Sequence, residues 1–182
     1  MGILLAFAPF VVFAIIDRLL DPAAGLVAGA ATSLLLLARA LITPGRTPKI
    51  LELGTLILFG GLSAYVLAGH AAWSVIGVRL RVDGGLLVIV LISMAIGRPF
   101  TLQYARENVA PAFWDSPEFM RTNYIITAGW AVAFALMVVA ELALLYVPAL
   151  PHRLGVITII AALIGAVKFT SWYPQHLERQ RV

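Results

Sequence analysis

Glu141 is the residue in this sequence whose position most invites chemistry. It falls about seven residues before Pro148 and so roughly 10 Å inside an apolar run. An ionised carboxylate at that depth is costly, and by default it implies a partner, a proton relay or a protonated state. The plainer reading, and the favoured one, is a neutral or hydrogen-bonded structural carboxyl near the outer interface, within reach of His152 or His70.

Lys168 lies near the inner end of the last apolar run, where its flexible stem can carry the ammonium to phosphate level, so anchoring is its expected role. Trp172 and Tyr173 beside it have the amphipathic rings found at membrane–water interfaces. The densest polar collection comprises Arg98, Thr101, Gln103, Tyr104, Arg106, Glu107 and Asn108, with Asn123 further on. Arg98, Arg106, Arg121 and Lys168 are the candidate contacts to anionic lipid headgroups or to a partner's loop, with ordinary headgroup contact an equally good account. Glu52 falls in the first turn of a predicted helix, where the helix dipole favours a carboxylate without any catalysis.

Other chemistries find little to work with. The chain has no cysteine, which removes thiolate nucleophiles, disulfides and sulfur-ligated metals. His70, His152 and His176 fall at segment ends, and none has a second ligand type at helical metal spacing. Ser33, Ser63, Ser93 and Ser171 have no nearby His or Lys base in sequence. The expectation is a protein without catalytic residues, metal or cofactor.

The elements that must position these residues follow from composition. The 182 residues are 62% hydrophobic and only 12% charged, with mean hydropathy +0.98. Ordinary globular chains are about 45–50% apolar and about 25% charged, so lipid is the simpler solvent for this one. The net charge of +4 is scattered between apolar runs and forms no stripe suited to phosphate neutralisation, which argues against nucleic acid. The apolar start carries no basic region before it and is interrupted by Pro9, so a cleaved secretory signal is not expected.

A helix needs roughly 20 residues to cross about 30 Å of hydrocarbon. Residues 23–42, 50–68, 124–147 and 154–173 are long enough, whereas 2–16 and 86–97 are short. Counting all six as crossings puts Arg39, Arg46, Lys49, Arg98, Arg106, Arg121, Lys168, Arg179 and Arg181 on one side. Arg18, Arg79, Arg81 and Arg153 fall on the other, nine against four of the 13 basic residues. The positive-inside rule then places both termini in the cytoplasm. The expected fold is an all-α, polytopic transmembrane helix bundle of about six helices, one membrane domain over residues 1–182. Five crossings with a re-entrant first segment is the rival.

Breakers mark the predicted connections: Asp21-Pro22, Thr43-Pro44-Gly45, Asp83-Gly84-Gly85, and Pro148 with Pro151. Val78-Arg79-Leu80-Arg81-Val82 alternates apolar and basic, which predicts a short extended or interfacial segment. Residues 101–122 read as a long interfacial loop. Gly25-xxx-Gly29, Gly60-xxx-Ala64-xxx-Ala68 and Ala161-xxx-Gly165 have the small-residue spacing that lets helices approach in lipid. Packing within the chain is expected over homo-oligomer formation, which the same spacing also serves.

Several words in the sequence carry a resemblance. They are Ala8-Pro9-Phe10-Val11-Val12-Phe13, Lys49 leading to Leu58-Phe59-Gly60-Gly61-Leu62, Arg98-Pro99-Phe100, and Asn123 with Trp130-Ala131-Val132-Ala133-Phe134. In order and spacing the chain resembles, over nearly its whole length, the bacterial septation protein A family of small inner-membrane proteins. The resemblance implies a multi-pass protein of the bacterial inner membrane, involved in cell division and envelope integrity through division and wall-elongation membrane proteins, with no catalytic residues to carry over. The sequence departs from the family pattern in Trp114-Asp115-Ser116-Pro117 and in the tail Arg179-Gln180-Arg181. A small transporter or channel, or an accessory subunit of a larger membrane complex, are the alternatives.

Overall fold

The computed structural model describes residues 2–70, 73–147 and 149–179, and every regular element among them is helical. The helices are α1 (Gly2–Ala6), α2 (Ala8–Leu19), α3 (Pro22–Ile42), α4 (Ile50–Leu67), α5 (Val75–Ala95), α6 (Phe100–Ala105), α7 (Pro117–Tyr146) and α8 (His152–Arg179), with a 3₁₀ turn at Pro111–Phe113. Four of them, α3, α4, α7 and α8, are long and apolar enough to cross a membrane. The chain divides into two compact units, residues 1–89 and 90–182, and the division falls within α5.

In the first unit α2 packs on α3 and α3 on α4. Its core joins Phe13 of α2, Leu26 of α3, Phe59 of α4, and Val78 and Val82 of α5. Gly29 makes this possible, since a Cβ there would stand 2.6 Å from the Phe59 ring. That ring also meets Phe10 and Phe13, with centroids 5.1 and 5.6 Å away. Such aromatic pairs contribute about 0.5–1.5 kcal/mol beyond simple burial. The predicted break at Asp21-Pro22 is a helix start: the Ala24 N–H donates to the Asp21 carboxylate at 2.9 Å, and Pro22 occupies the first turn, where no N–H is missed.

The structure corrects the reading of residues 78–85. They are neither extended nor a connection but the first half of α5. Val78 and Val82, four apart, share one helix face and are both buried, so the alternation came from two valines one turn apart. Gly85 is no breaker either, because a Cβ there would collide with the Leu58 side chain, and the glycine admits α4. The first segment is broken at Phe7 into α1 and α2, and α2, at 12 residues, is about 18 Å long.

In the second unit α7 packs on α8 and α6 on α7. The predicted loop over 101–122 shrinks at both ends. Phe100–Ala105 is helical, and α7 begins at Pro117, capped by Ser116, whose hydroxyl accepts from the Phe119 N–H at 3.2 Å. α8 continues past the expected end, through Pro174, to Arg179. Pro148 of the last predicted connection, and Gln180 and Arg181 of the tail, lie outside the described residues.

The three small-residue stripes differ. Gly25 and Gly29 are buried at helix contacts, as expected. Gly60 and Gly165 instead have no described atom within 4 Å of where a Cβ would stand, so those stripes face outward.

Candidate functional site

α7 buries Asn123, Thr127, Trp130, Phe134, Met137 and Glu141. Their spacing alternates four and three residues, the seam by which one helix lies along others. Glu141 is therefore a member of the inward stripe, 2% exposed, facing protein and not lipid. The side chain of His152, one of its two expected neighbours, lies outside the described ones. His70, the other, belongs to the first unit, where its ring lies 5.4 Å from that of Tyr65.

One end of this stripe is a polar layer. The Thr101 hydroxyl donates to the Asn123 carbonyl at 3.0 Å, and its oxygen meets that of Thr127 at 2.7 Å. Because a hydroxyl has one proton, Thr127 is the donor in the second bond. Asn123 donates to the Phe119 carbonyl at 2.8 Å. Ser93 donates to the Val90 carbonyl at 2.6 Å and accepts from the Phe100 N–H at 3.2 Å, closing the turn between α5 and α6. Further along, the Trp130 indole donates to the Thr170 hydroxyl at 2.9 Å, which donates in turn to the Ala166 carbonyl at 2.8 Å. These groups satisfy one another and the helix backbones, as a dry interior demands.

The basic candidates are not drawn into one cluster. Arg98, Arg121 and Lys168 are exposed. Arg106 is half-buried, its guanidinium 5.2 Å from the Trp114 ring centre and 3.8 Å from the Asp115 carboxylate. Trp114 is fixed by its indole N–H, which donates to the Val109 carbonyl at 2.9 Å. Glu52 accepts from the Lys49 backbone N–H at 3.1 Å, so it caps α4 as well as facing its dipole.

Sequence reasoning missed the ion pair of the first unit. Asp17 of α2 has a fully enclosed side chain and accepts from Nε of Arg79 of α5 at 2.9 Å, with Nη2 also bonded to the same oxygen. Gly25 of α3 lies against it, where a Cβ would come within 3.0 Å of the Asp17 Cβ. Nearby on α5, Arg81 lies 4.1 Å from the Trp73 ring centre, and Trp73 stacks on Tyr65 at 5.2 Å. The signal was available: Pro9, Phe13 and Asp17, each four residues apart, form the buried line of α2.

Among the described residues no group of three or more His, Asp or Glu side chains could hold a metal ion. No family model, curated protein or solved structure matches the chain. Fold and side-chain chemistry together define an all-helical membrane protein.

Proposed function

We propose that this chain is a multi-pass protein of the bacterial inner membrane that acts without catalysis, by holding other membrane proteins of division and wall elongation. This is the role its resemblance to the septation protein A family implies. Six crossings with both termini cytoplasmic is the topology proposed, with the first segment, α1 and α2 together, and α5 as the two crossings beyond the four long apolar helices, on the nine-to-four distribution of basic residues.

The observation that carries the reading is the outward face of α4. Ile57 is 75% exposed there, and the neighbouring Gly60 and Gly61 have open space where a Cβ would stand. In lipid such a flat strip favours close approach of another helix through dispersion and backbone contact. The buried hydroxyls and amides of the second unit, meanwhile, are engaged in holding helices together.

A photocrosslinker at Ala64 in living cells tests this. Adducts with division or wall-elongation membrane proteins, lost in Gly61→Leu, are the expected result. Adducts confined to lipid or to a second copy of the chain overturn it. Reporter fusions at the two ends test the topology separately, and opposite sides for Met1 and Val182 would refute it.

Transport is the second reading, favoured by one observation: a carboxyl, that of Glu141, in the buried seam of a membrane helix.

A further inference from the structure

The interior of the first unit has one level at which four helices bring polar side chains and a glycine together. Asp17 of α2 lies against Gly25 of α3, where a Cβ would come within 3.0 Å of the Asp17 Cβ. Arg79 of α5 holds the same carboxylate. Ser63 ends the buried line of α4, which runs Leu51, Thr55, Phe59 and Ser63 in steps of four, so it faces inward as Phe59 does.

Two helix registers place Ser63 at that level. Gly29 of α3 meets Phe59, and α3 and α4 are consecutive packed helices joined by a short link. One turn back along α3 and one turn on along α4 therefore bring Gly25 beside Ser63. Between α4 and α5, Gly54 meets Ile89 and Leu58 meets Gly85, an antiparallel register that continues to Ser63 and Leu80, one residue from Arg79.

Two oxygens here have no hydrogen-bond partner among the described residues: Oδ1 of Asp17 and Oγ of Ser63, both fully enclosed. Both of the nitrogens that Arg79 offers go to Oδ2. A helical serine or threonine can return its proton to a carbonyl three or four residues back, as Ser33, Thr55 and Ser93 do at 2.9, 3.1 and 2.6 Å. Ser63 makes no such bond. An enclosed polar atom without a partner forfeits its hydration, so two of them at one level call for a ligand.

The chemistry of that ligand follows from its neighbours. Arg79 already neutralises Asp17, so a cation gains little there and faces the guanidinium, while an anion meets Oδ1. The occupant is a neutral molecule that donates to a carboxylate and pairs with a hydroxyl. It must also be small: Gly25 and Ser63 take up little volume, but the adjoining core is filled by Phe13, Leu26 and Phe59. Water meets each demand.

We propose that this level of the first unit is a binding site for one buried water, which donates to Oδ1 of Asp17, pairs with the Ser63 hydroxyl and exchanges along Arg79, whose side chain is 26% exposed. Through it α4 is tied to the ion pair of α2 and α5. The site depends neither on the topology nor on the partners proposed above.

Radiolytic hydroxyl labelling of the full-length protein in detergent, read residue by residue by mass spectrometry, is the test. Hydroxyl radicals form where water is, so an enclosed ring is modified only beside a bound water. Phe13 is the reporter, because its ring and the Asp17 Cβ approach the same point at Gly25, at 3.1 and 3.0 Å. It should be labelled in wild type, and Phe134, enclosed in the seam of α7, should not. Ser63→Val should abolish the Phe13 label, whereas Ser63→Thr, of the same shape but with a hydroxyl, should retain it. A wild-type Phe13 as unreactive as Phe134 overturns the site, and that contrast stands even where a variant does not fold. So does a label that survives Ser63→Val or that Ser63→Thr also loses. An unfolding temperature raised by sodium chloride over choline chloride, with the rise lost in Ser63→Val, would make an alkali cation the occupant and overturn water.

Discussion

Arg79 reaches from α5 to place both Nε and Nη2 on a single oxygen of Asp17, whose side chain is wholly enclosed while the arginine side chain is 26% exposed. The pair joins α2 to α5 beside Gly25 of α3, so three helices of the first unit meet at one charge contact. Removing one partner should cost far more than removing both charges. Arg79→Ala, which leaves the carboxylate buried alone, should destabilise by about 3–5 kcal/mol, whereas Asp17→Asn with Arg79→Gln should cost much less. Thermal unfolding in detergent of the single and double variants measures the difference.

The Gly29–Phe59 contact sets a steric prediction. Gly29→Val drives a branched side chain into a ring already 2.6 Å from the Cβ position, and overpacking of this kind costs about 1–3 kcal/mol. Gly60→Val, which meets open space, should leave the unfolding temperature nearly unchanged. Equal losses from the two would show that backbone entropy, not the ring, governs both sites.

The stretch between α6 and α7 offers a third. Arg106 lies over Trp114 and near Asp115, and an exposed cation–π contact is worth about 0.5–1 kcal/mol. Neutralising Arg98, Arg106 and Arg121 together should raise hydrogen exchange over residues 106–116, and Arg106→Gln alone should account for most of the change. Unaltered protection would count against both lipid contact and the arginine–indole contact.

Glu141→Gln separates a packed bundle from a proton- or ion-coupled one. The amide keeps nearly the same shape and hydrogen-bonding capacity, so folding and any envelope phenotype should survive. Loss of a reconstituted ion or solute flux, with the variant accumulating normally in the membrane, would promote the transport reading.

Long apolar stretches made α3, α4, α7 and α8 legible, because a span of hydrocarbon imposes a length that composition alone reveals. The errors arose where short-range patterns have two physical meanings. Valines at 78 and 82 with basic residues between them fit a strand's alternation as well as a helix turn, and only Phe13 and Leu26 packing on those valines decides it. Gly84-Gly85 resembles a turn, yet contact with Leu58 gives the second glycine its purpose. The Ser116-Pro117 start of α7 was readable from capping chemistry but was hidden inside a polar stretch taken as loop. For Glu141 the depth is readable from its distance to Pro148, while its membership of the inward stripe required the phase of α7. The place of Asp17 on the line of Pro9 and Phe13 could be read from spacing, but its pairing with Arg79, 62 residues away, could not.

That separation also bears on how the molecule is made. At about 5–20 residues per second, a ribosome finishes Arg79 roughly 3–12 s after Asp17. For those seconds the carboxylate has no guanidinium, and a medium of lipid tails will not hold it charged. In the proposed topology α2 would therefore linger at a watery boundary until α5 emerges, and the first unit would close late, from its last helix inward.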